Sequence, residues 1–384
     1  MKIKIKKIEK SKNILFFLLI MIIINDNKLE NIMKSKYKIY KIYKYISLCQ
    51  KGIFINKIKK NYLIYKITAI IALYNSEKTI KNALRSIQNQ KMKDIEIILV
   101  DDNSRDNSLK IIEDLQREDL RIKIIKNKIN RGPLYSKSIG VLKSKGEYLM
   151  LLDSDDLFAN EKIFNICFKE VKDNNIDILE FSGLCYKNTL QKITLLTFIP
   201  LYLRFKKNNQ IIKQPYLSNF IYKKKNNKII KLIDGYLWGK CIKNEVYKKS
   251  LNILGAEVYN QNICYGDDRI VNFILFKVAL SFKFIQQIGI IYNINNMFSI
   301  MHKRNKIKNC HDELINIMTL YNLTKNTKEI EIVIYEIKYR WKWLIFPGLN
   351  KENKIYFRYL LTKVINNKYV YKQDKIFLNS FLKI

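Results

Sequence analysis

The chain has 384 residues, 48% of them hydrophobic, which allows one large α/β domain with an appendage or two small domains. Lys and Arg number 71 against 34 Asp and Glu, a formal net charge of +37. The bases are spread along the chain without a recognisable nucleic-acid motif, so the excess does not predict a nucleic-acid partner.

The cysteines and histidines exclude further classes of protein. The six cysteines include no C-x-x-C pair and no zinc-finger spacing, so neither a zinc site nor a disulfide framework is predicted. Two histidines are present, His302 and His311, which leaves little material for histidine-based metal or triad chemistry.

Residues 1–27 combine a Lys-rich leader with an apolar run at residues 14–24. Eleven apolar residues are too few to cross about 30 Å of hydrocarbon comfortably. The pattern resembles a signal peptide or a marginal signal anchor, although no small-residue cleavage site follows, and a merely sticky extension is the alternative. We therefore expect a secretory-pathway (ER/Golgi) or membrane-associated protein, with a cytoplasmic one as the alternative. Residues 28–66 are predicted to form a basic stem.

Residues 67–182 alternate between apolar strands and amphipathic helices. Apolar residues return at helical spacing between the strands, as at Ile80, Leu84 and Ile87, and Ser76 is predicted to cap the first helix. The predicted order is strand 67–73, helix 77–89, strand 95–100, helix 107–117, strand 122–125, a helix to about residue 143 and a strand that ends at Asp153. This succession predicts a doubly wound α/β fold.

Three carboxylates follow the last of these strands, at Asp153, Asp155 and Asp156. The apolar run 149–152 lacks the alternation of a half-exposed strand, so it is predicted to be buried on both faces of a parallel sheet. Ligands collect at the carboxyl ends of such strands. Acids packed there repel one another, whereas Mg²⁺ or Mn²⁺ would bind their oxygens together with phosphate oxygens of a substrate. The alternative is a solvated acidic turn that caps the next helix.

Five stretches of this region, taken in order, resemble the family 2 glycosyltransferases of the GT-A fold. They are Ile70-Ile-Ala-Leu-Tyr-Asn-Ser-Glu77, Leu99-Val-Asp-Asp-Asn-Ser-Arg-Asp-Asn-Ser108, Asn130-Arg-Gly132, Gly146-Glu-Tyr148 and Leu152-Asp-Ser-Asp-Asp156. The resemblance implies an α/β fold of the GT-A type, with a mixed, mostly parallel central sheet flanked by helices. Residues 67–182 would bind a nucleotide-sugar, 183–300 would form the acceptor side, and 301–384 would be a helical C-terminal extension.

The resemblance also implies roles in the donor site. Tyr74 would pack against a uracil ring, or is an ordinary loop aromatic. Asp101 and Asp102 would accept the uracil N3–H, with helix capping as the alternative for Asp101. Glu77 would reach the ribose or only favour the helix N-terminus.

The acids after the fourth strand would meet the rest of the donor. Asp153 would face the ribose and the metal, and Asp155 would bind the Mn²⁺ or Mg²⁺ that bridges the diphosphate. Asp156 would be a supporting or capping residue. Two positions depart from the family pattern: its Pro is Ala72 here, and its Arg is Lys137, which can still meet a phosphate but lacks the planar fork.

The acceptor side must supply a base that takes the proton from the attacking hydroxyl. Asp267 and Asp268 open an apolar helix where the family has Gly-Glu-Asp, whose Asp is the usual base. Asp268 is therefore the predicted base, with Asp267 as positioning partner or runner-up, and helix capping as the alternative. Trp238 would line the cleft, or would be a core aromatic. The donor-binding residues predicted in this way are Ala72, Tyr74, Glu77, Asp101, Asp102, Lys137, Asp153, Ser154 and Trp238.

We thus expect a metal-dependent inverting transferase that moves a sugar from a nucleotide donor, UDP-linked, to a hydroxyl of a glycan, lipid or protein. A nucleotide-sugar-binding or scaffold protein without catalysis is the alternative. Arg340-Trp341 resembles the end of the Q-x-x-R-W motif of processive polysaccharide synthases, but the Gln position is Ile337, so processivity is not expected. Residues 311–384 are predicted to pack as helices without chemistry of their own.

Overall fold

A computed structural model describes residues 65–189, 192–198, 211–213, 222–225, 228–231, 237–293, 306–345 and 351–382. The chain is divided between Tyr62 and Leu63, and the described residues all belong to the second unit, Leu63–Ile384. The predicted leader, its apolar run and most of the predicted stem lie outside the described residues. The expectations about targeting and membrane association therefore stay predictions.

The first half of the second unit alternates strands and helices, as predicted. Its elements are β1 (Tyr65–Leu73), α1 (Ile80–Gln88), β2 (Ile95–Asp101), α2 (Ser108–Glu118), β3 (Ile122–Lys126), α3 (Gly132–Lys143) and β4 (Gly146–Asp153). The four strands are parallel and lie side by side in the order β3-β2-β1-β4. The order reverses between β1 and β4, and α/β folds of this kind bind ligands at the carboxyl ends of the strands at such a point.

Strand β4 is buried on both faces, as its continuous apolar run predicts. Tyr148, Met150 and Leu152 pack in one hydrophobic cluster, whereas Leu149 and Leu151 pack in the other, because successive side chains of a strand point to opposite faces. None of these five side chains is more than 3% exposed. Each contributes about 1.5–3 kcal/mol on burial. The acids that follow β4 are therefore attached to one of the best-packed parts of the sheet.

The second half continues the same sheet with strands of both directions. Its elements are β5 (Leu157–Phe158), α4 (Ile163–Asn174), β6 (Ile178–Thr189), β7 (Lys192–Phe198), β8 (Ile211–Lys213), β9 (Tyr222–Lys225), β10 (Lys228–Lys231), β11 (Lys240–Lys243), α5 (Asn244–Leu254), α6 (Ala256–Tyr259), α7 (Asp267–Val278) and β12 (Ser281–Asn293). The described strands follow the order β3-β2-β1-β4-β11-β6-β12-β5, with β7 beside β6, β8 beside β12, and β9 and β10 in a separate pair. Strand β11 is antiparallel to both β4 and β6 and joins the two halves.

Among the described residues, four helices follow the sheet: α8 (Lys306–Thr324), α9 (Ile330–Ile345), α10 (Lys351–Ile365) and α11 (Lys372–Leu382). Their buried side chains, such as Leu314, Ile337 and Leu360, belong to the same hydrophobic cluster as Ile274 and Phe276 of α7. In the ranges given above, none of the helices combines the length and the apolar character that crossing a membrane requires. The predicted fold class, with its helical C-terminal part, is confirmed.

Two local predictions are corrected by the structure. The prediction that Ser76 caps the first helix is wrong: α1 begins at Ile80, and the carbonyl of Ser76 accepts the N–H groups of Thr79 and Ile80, both at 2.9 Å. Residues 76–79 therefore form a turn before the helix. Strand β1 begins at Tyr65, two residues inside the predicted stem, because Lys66 already donates its N–H to the carbonyl of Asp94 at 2.8 Å.

Candidate active site

The carboxyl ends of β1, β2 and β4 meet at one edge of the sheet. The β1–β4 register pairs Ala72 with Asp153, and the β1–β2 register ends at Asp101. The loops after these strands therefore border one crevice. Oγ of Ser76, after β1, lies 2.8 Å from Oγ of Ser154, after β4, and this hydrogen bond joins the two loops.

The ammonium of Lys137, on α3, lies among three carboxylates from two other elements. Its Nζ is 3.3 Å from Oδ1 of Asp153, 3.0 Å from Oδ1 of Asp268 and 3.9 Å from Oδ2 of Asp267. The backbone N–H of Leu237 donates to Oδ2 of Asp268 at 3.4 Å. The structure thus brings a predicted donor-side acid together with both predicted acceptor-side acids. We call Lys137 and its three aspartates the Lys137 cluster.

The Lys137 cluster contains three carboxyl groups and one ammonium, and most of it is shielded from solvent. Burial, and then the charge of Asp268, raise the pKa of Asp267 to about 8. Burial also raises the pKa of Asp153, against the lowering effect of Lys137. Burial alone would lower the pKa of the Lys137 ammonium, but the three aspartates together outweigh it and hold that pKa well above its usual value. At neutral pH Lys137 is therefore charged and Asp267 keeps a proton, while the two oxygens of Asp268 accept hydrogen bonds from Lys137 and Leu237.

The loops after β1 and β2 are held together by reciprocal hydrogen bonds. Oδ2 of Asp106 accepts the N–H of Glu77 at 3.0 Å, and Oε2 of Glu77 accepts both the N–H and the side-chain amide of Asn107, at 3.1 and 3.0 Å. Glu77 thus supports the start of α2, and its contact with a ribose stays a prediction. Tyr74 in the same loop is 42% exposed, so its ring is accessible to a planar ligand.

Asp102 binds its own chain at the start of α3. Its Oδ1 accepts hydrogen bonds from the side chain of Asn127 at 2.7 Å and the N–H of Arg131 at 2.9 Å, and its Oδ2 accepts the N–H of Gly132 at 2.8 Å. These backbone groups have no partner within the helix, so the carboxylate stabilises its N-terminus. Asp101 is 2% exposed at the end of β2. A contact of either aspartate with uracil stays a prediction.

Trp238 packs in the interior. It is 8% exposed and stacks on Tyr292, with ring centroids 5.4 Å apart and planes inclined by 17°. Of the two roles considered for it, this geometry favours the core aromatic. The turn that carries Trp238 still reaches the site through its backbone, because the N–H of Leu237 contacts Asp268.

Comparison with known proteins indicates the family of the first part of the described sheet. Residues 68–231 match the family model described as Glycosyl transferase family 2. Residues 68–231 are therefore a glycosyltransferase family 2 domain. Two curated relatives from Haemophilus influenzae, both described as uncharacterized glycosyltransferases, are 40% identical over 42 residues and 31% identical over 64 residues. The matches cover 11% and 17% of this chain, and they span only 17% and 22% of the relatives' length.

Solved structures with the same architecture as the family 2 domain include S. aureus TarS. Residues 1–349 of TarS are 14% identical to this chain, with a TM-score of 0.55 over 83% of this chain and 88% of that one. The same portion in complex with UDP-GlcNAc gives a TM-score of 0.57 at 14% identity and the same coverage. At this identity the likeness shows the fold, which is of the GT-A type.

The acids of the family 2 domain can be tested for their fit to a divalent cation. Among the described residues, no three or more His, Cys, Asp or Glu side chains are grouped to hold a metal by themselves. In nucleotide sites, however, Mg²⁺ is usually held by one or two carboxylates together with substrate phosphates. Asp153 and Asp155, at the end of β4 and in the turn after it, supply such oxygens. These two carboxylates fit an ion that is shared with a diphosphate.

Two further polar residues support the candidate site through hydrogen bonds. Asp156, predicted as a supporting residue, is fully buried, and its Oδ1 accepts the N–H of Asn293 at 2.9 Å. Asn127 was missed by sequence analysis; it donates to Oδ1 of Asp102 at 2.7 Å and to Oγ of Ser136 at 2.9 Å. Its position directly after β3, at the same edge of the sheet, is the signal that could have indicated it.

Proposed function

We propose that the family 2 domain, together with the residues that follow it, transfers a sugar from a nucleotide-diphosphate donor, UDP-linked, to an acceptor hydroxyl with inversion, and that Asp268 is the general base. The observation that carries the proposal is the Lys137 cluster, in which Asp268 lies with Asp153 around one ammonium. The complexes of TarS with UDP and with UDP-GlcNAc support a UDP-linked donor. The acceptor hydroxyl would belong to a glycan, a lipid or a protein.

Inversion requires one base on the acceptor side. A carboxylate oxygen of Asp268 would take the hydroxyl proton while the acceptor oxygen attacks the anomeric carbon and the bond from that carbon to the diphosphate breaks. Lys137 and the N–H of Leu237 hold this carboxylate in place, and its side chain is still 19% exposed to an incoming acceptor. Asp267, whose pKa is raised to about 8 by burial and by Asp268, holds its proton at neutral pH and would not compete for that of the acceptor.

On the donor side, Asp153 and Asp155 would hold a divalent cation, Mn²⁺ or Mg²⁺. When bound, the ion would offset the negative charge that develops on the departing nucleoside diphosphate. Lys137 adds a permanent positive charge at the same edge of the sheet and would meet a phosphate as a point charge. Tyr74 offers an accessible ring to the nucleotide base.

The test is a panel of nucleotide-sugars and acceptors, assayed for hydrolysis and transfer with Mn²⁺ or Mg²⁺. We expect the wild type to turn over a UDP-sugar and to give a product of inverted anomeric configuration by NMR. Asp268→Asn should lower kcat by about 10²- to 10⁴-fold, because the base is lost, and should leave the Kd for UDP unchanged. Asp173→Asn changes an exposed acid of α4 and serves as the matched control with full activity.

Two results would contradict this proposal. Binding of UDP by calorimetry without turnover over the whole panel would support the alternative, a nucleotide-sugar-binding protein. Full activity of Asp268→Asn would refute the assignment of the base while leaving the transfer itself standing.

A further inference from the structure

The loop before α7 is held by side chains of a C-terminal helix. Asp312 of α8 is fully buried, and its Oδ2 accepts the backbone N–H of Cys264 at 2.9 Å and of Tyr265 at 3.1 Å. About one turn further along α8, the amide of Asn316 donates to the carbonyl of Tyr265 at 3.0 Å. Both hydrogen-bonding groups of the Tyr265 backbone are therefore bound by α8. We call residues 262–266 the base loop.

A second set of contacts joins the first turn of α7 to the same helices. Arg269 follows Asp268 directly, and its guanidinium lies 2.5 Å from Oε2 of Glu313 on α8 and 3.1 Å from Oε2 of Glu336 on α9. The side chains of the two glutamates are 6% and 1% exposed, so removing Arg269 would leave buried charges without this partner. Arg269 also packs on the base loop: a Cβ on Gly266, which has φ +73°, would lie 2.2 Å from its Nη2.

Asp267 and Asp268 lie between these two attachments. The base loop fixes the chain before them through Asp312, and Arg269 fixes the chain after them. The carboxylate of Asp268 then meets Lys137 at 3.0 Å. A reacting group that is displaced by about 1 Å can lose about 10²-fold in rate, so an attachment on either side bears directly on a base at this position.

We propose that Asp312 and Arg269 are positioning residues for Asp268, so that helices α8 and α9 form part of the catalytic apparatus. This inference rests on the proposed function, because it takes Asp268 as the base. Asp312 acts through the backbone of the base loop, and Arg269 acts through the first turn of α7. The expectation that residues 311–384 pack as helices without chemistry of their own stays a prediction, to which this proposal adds a role in holding the base.

Asp312→Ala in the full chain tests the proposal by steady-state kinetics. We expect kcat to fall about 10- to 100-fold, whereas the KM for the donor and the Kd for UDP change by less than about twofold. Asp312→Asn keeps an oxygen that can accept the N–H groups of the base loop and should recover most of the lost kcat. Leu360→Ala, fully buried in α10, is the control for lost stability and should lower the Tm without lowering kcat.

A double-mutant cycle shows whether Asp312 acts through the base. In an Asp268→Asn background, Asp312→Ala should cause no further loss of kcat, because the group that it positions is already disabled. Independent losses that multiply would overturn the proposal, since they would mean that Asp312 affects turnover by another route.

Hydrogen exchange measures how well the backbone amides of the base loop are protected, and it does not depend on catalytic turnover. The amides of Cys264 and Tyr265 should exchange faster in Asp312→Ala than in the wild type, and should be unchanged in Leu360→Ala. Unchanged exchange in Asp312→Ala, or faster exchange with unchanged kcat, would overturn the proposal. A wild type that turns over no donor would refute the proposed function instead, and the wild-type assay alone recognises that outcome.

Discussion

Nζ of Lys137 lies 3.0 Å from Oδ1 of Asp268, although 131 positions separate the two residues in the chain. The same ammonium is 3.3 Å from Asp153 at the end of β4. One buried cation therefore joins an acid of the predicted donor half to acids of the predicted acceptor half. This contact adds to strand β11, which also joins the two halves.

Replacing Lys137 should cost both stability and activity. Lys137→Met leaves the acids of the Lys137 cluster without their shared cation, and we expect the free energy of unfolding to fall by about 3 kcal/mol in urea denaturation. Lys143→Met, an exposed lysine of the same helix, is the control and should change it by less than about 0.5 kcal/mol. Equal stability of the two variants would show that the cluster is not held by charge.

The pH dependence of stability should report the proton on Asp267. Burial and Asp268 raise its pKa from 3.8 to about 8, so between these values the folded protein holds a proton that the unfolded chain releases. The stability from this group is complete at low pH and is lost as the pH rises toward 8, by at most about 1.4 kcal/mol per pH unit.

Asp267→Asn should therefore flatten this slope, measured by urea unfolding between pH 5 and 8. A residual slope is expected, because burial also raises the pKa of Asp153 and of Asp156. A variant whose slope matches the wild type would contradict the assignment of the proton to Asp267.

Variants of Asp102 distinguish a structural role of this residue from a role in nucleotide binding. Asp102→Ala leaves the N–H groups of Arg131 and Gly132 without their acceptor, and we expect the free energy of unfolding to fall by about 2–4 kcal/mol. Asp102→Asn keeps one acceptor oxygen and should lose about half as much. Calorimetry with UDP completes the test: an unchanged Kd in Asp102→Asn indicates a purely structural residue, and a much weaker Kd supports the predicted uracil contact.

Asp155 should control the metal dependence of donor binding. In the wild type we expect UDP to raise the Tm more with Mn²⁺ than with a chelator, because the ion would bridge Asp155 and the diphosphate. Asp155→Ala should abolish that difference and leave the Tm of the ligand-free protein within about 2 °C, since the residue lies in a turn and is only half-buried. Asp173→Ala is the control. Full activity of the wild type in chelator would refute a metal role for Asp155.

The strands of the first half could be predicted because burial on both faces leaves a signal in consecutive residues. The apolar run before Asp153 is such a signal, and the structure places it between two hydrophobic clusters. The start of α1 was misplaced because Ser76, an ordinary capping residue by type, instead joins a turn and bonds Ser154, which is 78 positions away. A local pattern does not contain that contact.

The candidate site could also be predicted only in part from the sequence. Motifs predicted that Asp153, Asp267 and Asp268 lie together, and the structure places them around Lys137, but motifs did not predict the other contacts that hold the site. Asp102 bonds the chain 30 positions ahead at Gly132, and Arg269 bonds Glu336, which is 67 positions ahead. Such pairs depend on the packing of whole elements, so one sequence alone cannot indicate them.

The hydrogen bonds that β4 makes with the strands on both of its sides affect how the site responds to temperature. β1 pairs with this strand as far as Asp153, and β11 pairs with it at Tyr148 and Leu149, so we expect the strand to open together with the sheet around it. Asp268, in contrast, stands on the first turn of a helix that is reached through a loop. On warming, the proposed base should therefore lose its alignment with the acceptor hydroxyl at a temperature where the predicted donor site is still folded. We expect kcat to fall at a lower temperature than donor affinity.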